Sequence, residues 1–233
     1  MTENTNSKFP SEADVVIVGV GGIVGSMIAY WLSELGQKNI VGLEKSSVIP
    51  SDIASTAHAS DFVYNTTHDK LGCWTTAYSR KFYEDNGFFL KKGGLEICRK
   101  GDDARWEELK RKVGSGKAFG TNVRLISAAE AKEKFPLLDE ESLMGAMWDP
   151  DAGLVIPRSQ DVVSFAVESA KDKGALKTFT DTPAIDFEVV NGRVTGVKTD
   201  KGFIKADKVV ICSGIWGPLM GKKAGVPVPL MPL

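Results

Sequence analysis

The chain has 233 residues, enough for one large domain or two intimately packed smaller ones. With 42% hydrophobic and 25% charged residues and a formal net charge of −1, it has the composition of an ordinary soluble globular protein, and its mixed charges exclude a broad electrostatic footprint for nucleic acid or an anionic membrane. Two histidines exclude a His-rich metal site, and three scattered cysteines (Cys73, Cys98, Cys212) without a CxxC pair point to a reduced, cytoplasmic setting.

Residues 1–12 are polar and read as a disordered tail, lacking the basic start and apolar core of a secretory signal. The apolar run from Val15 to Val24 is too short and too rich in glycine to span a bilayer. The segment ADVVIVG carries, after Asp14, a continuously apolar and β-branched stretch, which predicts a strand buried on both faces of a parallel sheet. A glycine-rich turn follows, then apolar residues at helical spacing from Ser26 to Leu35, closed by Gly36. IVGLE (40–44) is a second strand, completing one β-α-β unit.

The alternation then breaks. Residues 46–92 are rich in Ser, Thr, Asp and aromatics, with a helix expected around Trp74–Tyr83. GGLEICR (93–99) reads as a strand and Ala104–Val113 as a helix. Within that helix the basic stretch Lys110-Arg111-Lys112 follows Glu107 and Glu108 at the spacing of a solvated face. Ser127 starts a helix through Phe135, with Glu130 at capping-box spacing, and LMGAMWD (143–149) is another strand. Residues 159–173 form an amphipathic helix closed by Gly174. Asn191-Gly192 joins a hairpin between IDFEVV and RVTGVKTD, and a buried apolar strand returns at 208–212. The first and last portions thus read as one sheet with other material inserted between them.

The turn Gly19-Val20-Gly21-Gly22-Ile23-Val24-Gly25 has the chemistry of a dinucleotide site. Glycines let the backbone approach a pyrophosphate whose charge rests on the amides of a helix N-terminus. Glu44, ending the second strand, stands where a carboxylate binds ribose hydroxyls. Counted back from Gly25, the first glycine of GxGxxG falls on Val20. Either Gly22 is an inserted residue or Gly19 supplies the turn one position early. NAD and FAD both use such a turn.

The blocks AYWL after the turn, LEKS (43–46), STAHA (55–59), GGLE (93–96), FPLLDEESLMGAMWDPDAG (135–153), KVVICSGIWG (208–217) and GVPVPLMPL (225–233) occur in order. Through them the chain resembles the dimethylglycine oxidase/dehydrogenase and sarcosine dehydrogenase family of D-amino-acid-oxidase-like FAD enzymes. The resemblance implies an α/β fold: a Rossmann-like FAD-binding sheet of the glutathione-reductase/D-amino-acid-oxidase type with an inserted α+β substrate-domain portion. It divides the chain into the first part of the FAD-binding domain (13–92), the inserted portion (93–150) and an incomplete second part (151–233). It implies hydride transfer from an N-methylated glycine or similar amine to flavin N5, with an iminium product. Oxidase and dehydrogenase are not distinguished.

On the resemblance, Gly19, Gly21, Gly22, Gly25, Glu44, Lys45, Ser55, Thr56, His58 and Gly214 bind FAD, with His58 at the position of a covalent bond to the flavin. The family's glycine pair before Ser-Thr is replaced here by Ser51-Asp52-Ile53-Ala54, and Asp61 stands where a glycine is expected. No residue matches the family's catalytic histidine, so no general base is assigned. The family sequence continues beyond the position of Leu233, so this chain reads as the first portion of a longer enzyme. A subunit completed by a partner chain and a non-catalytic remnant are the alternatives. His68 reads as a surface-loop residue. Trp74, Tyr78, Phe82 and Tyr83, at helical spacing, read as core. Trp148 and Trp216 flank strand ends expected to face the flavin, with core packing the default for both, and Gly153 reads as a close backbone approach to the ring.

Overall fold

The computed structural model describes residues 9–231. In chain order the elements are β1 (Glu12–Val18), α1 (Ile23–Glu34), β2 (Ile40–Leu43), β3 (Phe62–Val63), α2 (Lys70–Asp85), β4 (Phe89–Lys91), β5 (Gly94–Arg99), α3 (Asp103–Ala118), β6 (Arg124–Ile126), α4 (Ala128–Lys134), β7 (Leu143–Asp149), β8 (Gly153–Val155), α5 (Ser159–Asp172), β9 (Leu176–Phe179), β10 (Ala184–Val190), β11 (Arg193–Thr199), β12 (Gly202–Ile211) and α6 (Gly217–Lys223). The described residues form two compact units, one running to Ala59 and resuming at Ser159, the other from Ser60 to Arg158. These units divide the chain at 59/60 and 158/159, whereas the domains expected from the sequence divide it at 92/93 and 150/151. Strands β3 and β4 fall inside the excursion because both pair with β8.

In the first unit six strands lie in the order β10-β11-β12-β1-β2-β9. β1 runs parallel to β12 on one side and to β2 on the other, and β2 is parallel to β9. Val15 and Ile17 of β1 belong to one core, with Ala29 of α1 and Val163, Val167 and Ala170 of α5; Val16 and Val18 belong to the opposite core, with Phe187, Val197 and Ile204. This two-sided burial is what the continuous apolar run requires. Each such side chain contributes about 1.5–3 kcal/mol of transfer free energy. Asn191 (φ 52) and Gly192 (φ 76) form the hairpin turn between β10 and β11.

Only part of the expected tail can be described, and it is ordered. Phe9 packs edge-on against Phe179 at 5.3 Å between ring centroids, and the Lys205 amide donates to the Ser11 carbonyl, so burial and strand pairing fix residues 9–12. Residues 1–8 of that tail lie outside the described residues.

The second unit holds two three-stranded antiparallel sheets, β3-β8-β4 and β5-β7-β6. Helix α3 covers the latter with Leu109 and Val113 packed on Cys98 and Met147. The Ser127/Glu130 capping box is formed. The Arg158 guanidinium donates to Asp61 (2.5 Å), and Asp61 holds φ 60. The glycine expected at position 61 is thus replaced by one of the few residues that tolerate this conformation. Gly153 is glycine for packing, since a Cβ there would stand 2.4 Å from the Leu90 carbonyl oxygen. Trp74 and Tyr78 stack on each other at 5.6 Å on an exposed face of α2, so the expectation of core packing fails for that pair. His68 pairs with Glu108 at the surface. Trp148 sits half-buried beside Ile126 and Ala146.

Candidate functional site

At the carboxyl ends of β1, β2 and β12 the first unit opens a cavity of about 620 Å³, within the size range of small-molecule sites. The glycine turn forms its floor. Gly19, at φ 91, supplies the reversal one position early, and a Cβ there would meet the Cys212 carbonyl oxygen at 2.6 Å. Gly25 lies against Gly19. Gly21 lies against Glu44, where a Cβ would stand 2.6 Å from Oε2. Gly22 differs from these three. It lines the cavity at the N-cap of α1, and the protein atom nearest to a Cβ there would be 3.6 Å away. Packing within the chain does not require glycine at 22, and a glycine there leaves room for the backbone to approach a ligand closely.

Glu44 is buried and acts as a local anchor. Its carboxylate accepts from the Gly21 amide (2.9 Å), the Ser46 amide (3.0 Å) and the Ser51 hydroxyl (3.2 Å). The Ser51 amide donates to the Gly21 carbonyl, tying the segment after β2 onto the turn. Thr56 lies in the short helical turn Ser55–His58 and accepts from the Ile23 amide at 3.0 Å. One donor of the α1 N-terminus is thereby taken. The Val24 amide, on the cavity wall, remains as a first-turn donor without an intrahelical partner, which is the setting of an anion site.

Of the residues expected to bind cofactor, Gly19, Gly22, Glu44, Lys45, Ser55, Thr56 and Gly214 line this one cavity. Gly21 and Gly25 act from behind it, shaping the turn. His58 ends its helical turn exposed and is not among the lining residues. The rest of the wall includes Thr182, Pro183, Ile215 and Leu219, which the sequence did not single out, together with Ser51 and Trp216. The Lys45 ammonium lies 4.8 Å from the centroid of the Trp216 ring. Burial pushes the Cys212 thiol, also on this wall, above its ordinary pKa, which keeps it protonated. Segments joined only by the fold supply these residues, so no local spacing announces them.

An open helix amide, a glycine with ligand clearance and an acid at the end of the second strand suit an adenine dinucleotide. Among the described residues no group of three His, Cys, Asp or Glu side chains could hold a metal ion, and no helix is long and apolar enough to cross a membrane.

Comparison with known proteins agrees with this chemistry. A family model described as "FAD dependent oxidoreductase" matches residues 14–233. Mitochondrial sarcosine dehydrogenase of Homo sapiens is 29% identical over 99% of this chain and 26% of its own length. The mitochondrial pyruvate dehydrogenase phosphatase regulatory subunit of Mus musculus is 31% identical over 91% of this chain and 24% of its own length. Among solved structures, L-proline dehydrogenase from P. horikoshii superposes with a TM-score of 0.82 at 30% identity, covering 94% of this chain and 57% of that one. The chain thus spans about a quarter of the length of these curated relatives.

Proposed function

Because the chain belongs to the FAD-dependent oxidoreductase family, we propose that it binds the adenine-dinucleotide part of FAD in the cavity at the glycine turn and serves the oxidation of an N-methylated glycine or a similar secondary or tertiary amine. The observation that carries the reading is Gly22, whose missing side chain faces the cavity and answers to no neighbour within the chain. Val24 would present its amide to the pyrophosphate, and Glu44 would meet the ribose while holding the turn in shape. The chemistry the cofactor supplies is acceptance of a hydride from the carbon beside the amine nitrogen, leaving an iminium. Binding and orientation are the part these residues play; none of them is assigned as a general base.

A bond between His58 and the flavin is the finer form of this proposal, supported by Ser55-Thr56 two and three residues before it on the cavity wall. The test is an absorbance spectrum of the purified chain before and after acid precipitation. Colour that stays with the pellet, and leaves it in His58→Ala, supports the bond. Colour in the supernatant keeps the FAD site and removes the bond. A folded chain that takes up no flavin overturns the whole reading.

A second reading is a flavin-binding subunit or non-catalytic module, favoured by the similarity to a regulatory subunit. It predicts flavin binding without reduction by sarcosine, dimethylglycine or proline, in the full-length protein as well as in this chain.

A further inference from the structure

Lys45 and Trp216 come from opposite sides of the glycine turn and yet touch. In the sheet β1 lies between β12 and β2, with Val18 paired to Ile211 on one side and to Leu43 on the other. Two inter-strand spacings, about 9–10 Å, therefore separate the ends of β2 and β12. Lys45 leaves the end of β2, while Trp216 closes the helical turn Gly214–Trp216 that follows β12. With the ammonium 4.8 Å from the ring centroid, the contact bridges the carboxyl end of β1, where Gly19 opens the turn. Both residues line the cavity, Lys45 is exposed, and Trp216 belongs to neither core of the unit.

We propose that Lys45 and Trp216 form a strap that closes over the bound dinucleotide and slows its release; the inference rests on the FAD reading above. The bridge and the first amides of α1 are walls of one cavity, so a ligand seated on those amides lies between helix end and bridge. The pair must part for the ligand to enter and can re-form above it. Lys45 opens it by rotating its own flexible stem, without moving the backbone. A cation–π contact at an exposed site is weak, and it strengthens when water is excluded from it. The open strap thus offers little obstacle to entry, whereas the strap closed over a ligand resists exit.

The test is FAD release from the full chain, followed by flavin fluorescence, in Lys45→Met, Trp216→Leu, the double variant and Lys45→Arg. Each single truncation is expected to raise the dissociation rate about fivefold, the double variant no further than the singles, and Lys45→Arg to stay near wild type. Association should change less than about twofold in all of them. Single effects that multiply in the double variant overturn the strap. So does a Lys45→Met effect confined to a salt-dependent association rate, the mark of plain attraction between ammonium and pyrophosphate. Should Trp216→Leu fail to fold, Trp216→Phe keeps a ring face and must release FAD at close to the wild-type rate, or the strap is wrong. A wild-type chain that folds without taking up FAD removes the proposed function and the strap together, whereas normal uptake without coupling removes the strap alone.

Discussion

Gly25 packs so closely on Gly19 that a methyl group at position 25 would stand 2.1 Å from the Gly19 carbonyl oxygen and 2.9 Å from the Val20 Cα. The atoms in the way are backbone, so no side-chain rotation relieves the clash. Gly25→Ala must push α1 off the end of β1, and we expect a loss of about 1–3 kcal/mol, read as a lower urea midpoint with an unchanged slope.

Gly22→Ala should behave in the opposite manner. The new methyl meets only Ala54 and Thr56 at ordinary contact distance, so the melting temperature of the ligand-free chain should hardly move. FAD affinity should fall about five- to hundredfold, because the methyl stands where the ligand approaches. Titration of flavin fluorescence checks it, and unchanged affinity would show that the cavity is not the cofactor site.

Glu44→Gln places an amide among three donors. Its NH₂ group faces partners that need an acceptor, so at least one of the Gly21, Ser46 and Ser51 donors loses its bond. The cost should be about 1–3 kcal/mol, and flavin binding should weaken as the turn loosens. Thermal melts with and without FAD separate the two effects.

Acid should weaken the second unit partly through Glu108. The hydrogen bond from Arg105 holds its carboxyl below the usual range, against an opposing push from desolvation, and His68 adds to the lowering. A carboxylate whose folded pKa lies below the unfolded one stabilises fully above the unfolded value, about 4.3, and loses that contribution as pH falls through the folded value. Urea midpoints measured from about pH 7 down to about pH 3 should therefore fall less steeply for Glu108→Gln than for wild type. The pair is partly exposed, so added salt should shrink the difference.

Features with a local physical cause were legible in the sequence. β1 is apolar from Val15 to Val18 because both of its faces are covered there, Asn191-Gly192 satisfies two left-handed positions, and Ser127 with Glu130 closes a cap within one helical turn. Misreadings came where tertiary partners decide. α3 runs on to Ala118 through Gly114 and Gly116, and a Cβ at Gly116 would stand 2.7 Å from both Thr66 and Val123. β9 is only Leu-Lys-Thr-Phe, and it is a strand because β2 pairs with it. The site divides in the same way. The glycines and Glu44 signal themselves through their spacing, whereas Ser51 and Trp216 reach the cavity from segments that only the folded sheet brings together.

β12 completes the parallel sheet by pairing with β1, so Glu12 finds its partner in Lys205, almost the whole chain away. The inserted unit, by contrast, is one continuous stretch from Ser60 to Arg158. During synthesis the inserted unit therefore has all its strands before the first unit does, while β1 and the glycine turn, already emerged, wait for a partner encoded beyond that unit. Until β12 emerges, the apolar edge of β1 is without that partner, which makes it the segment most in need of chaperone cover in the nascent chain.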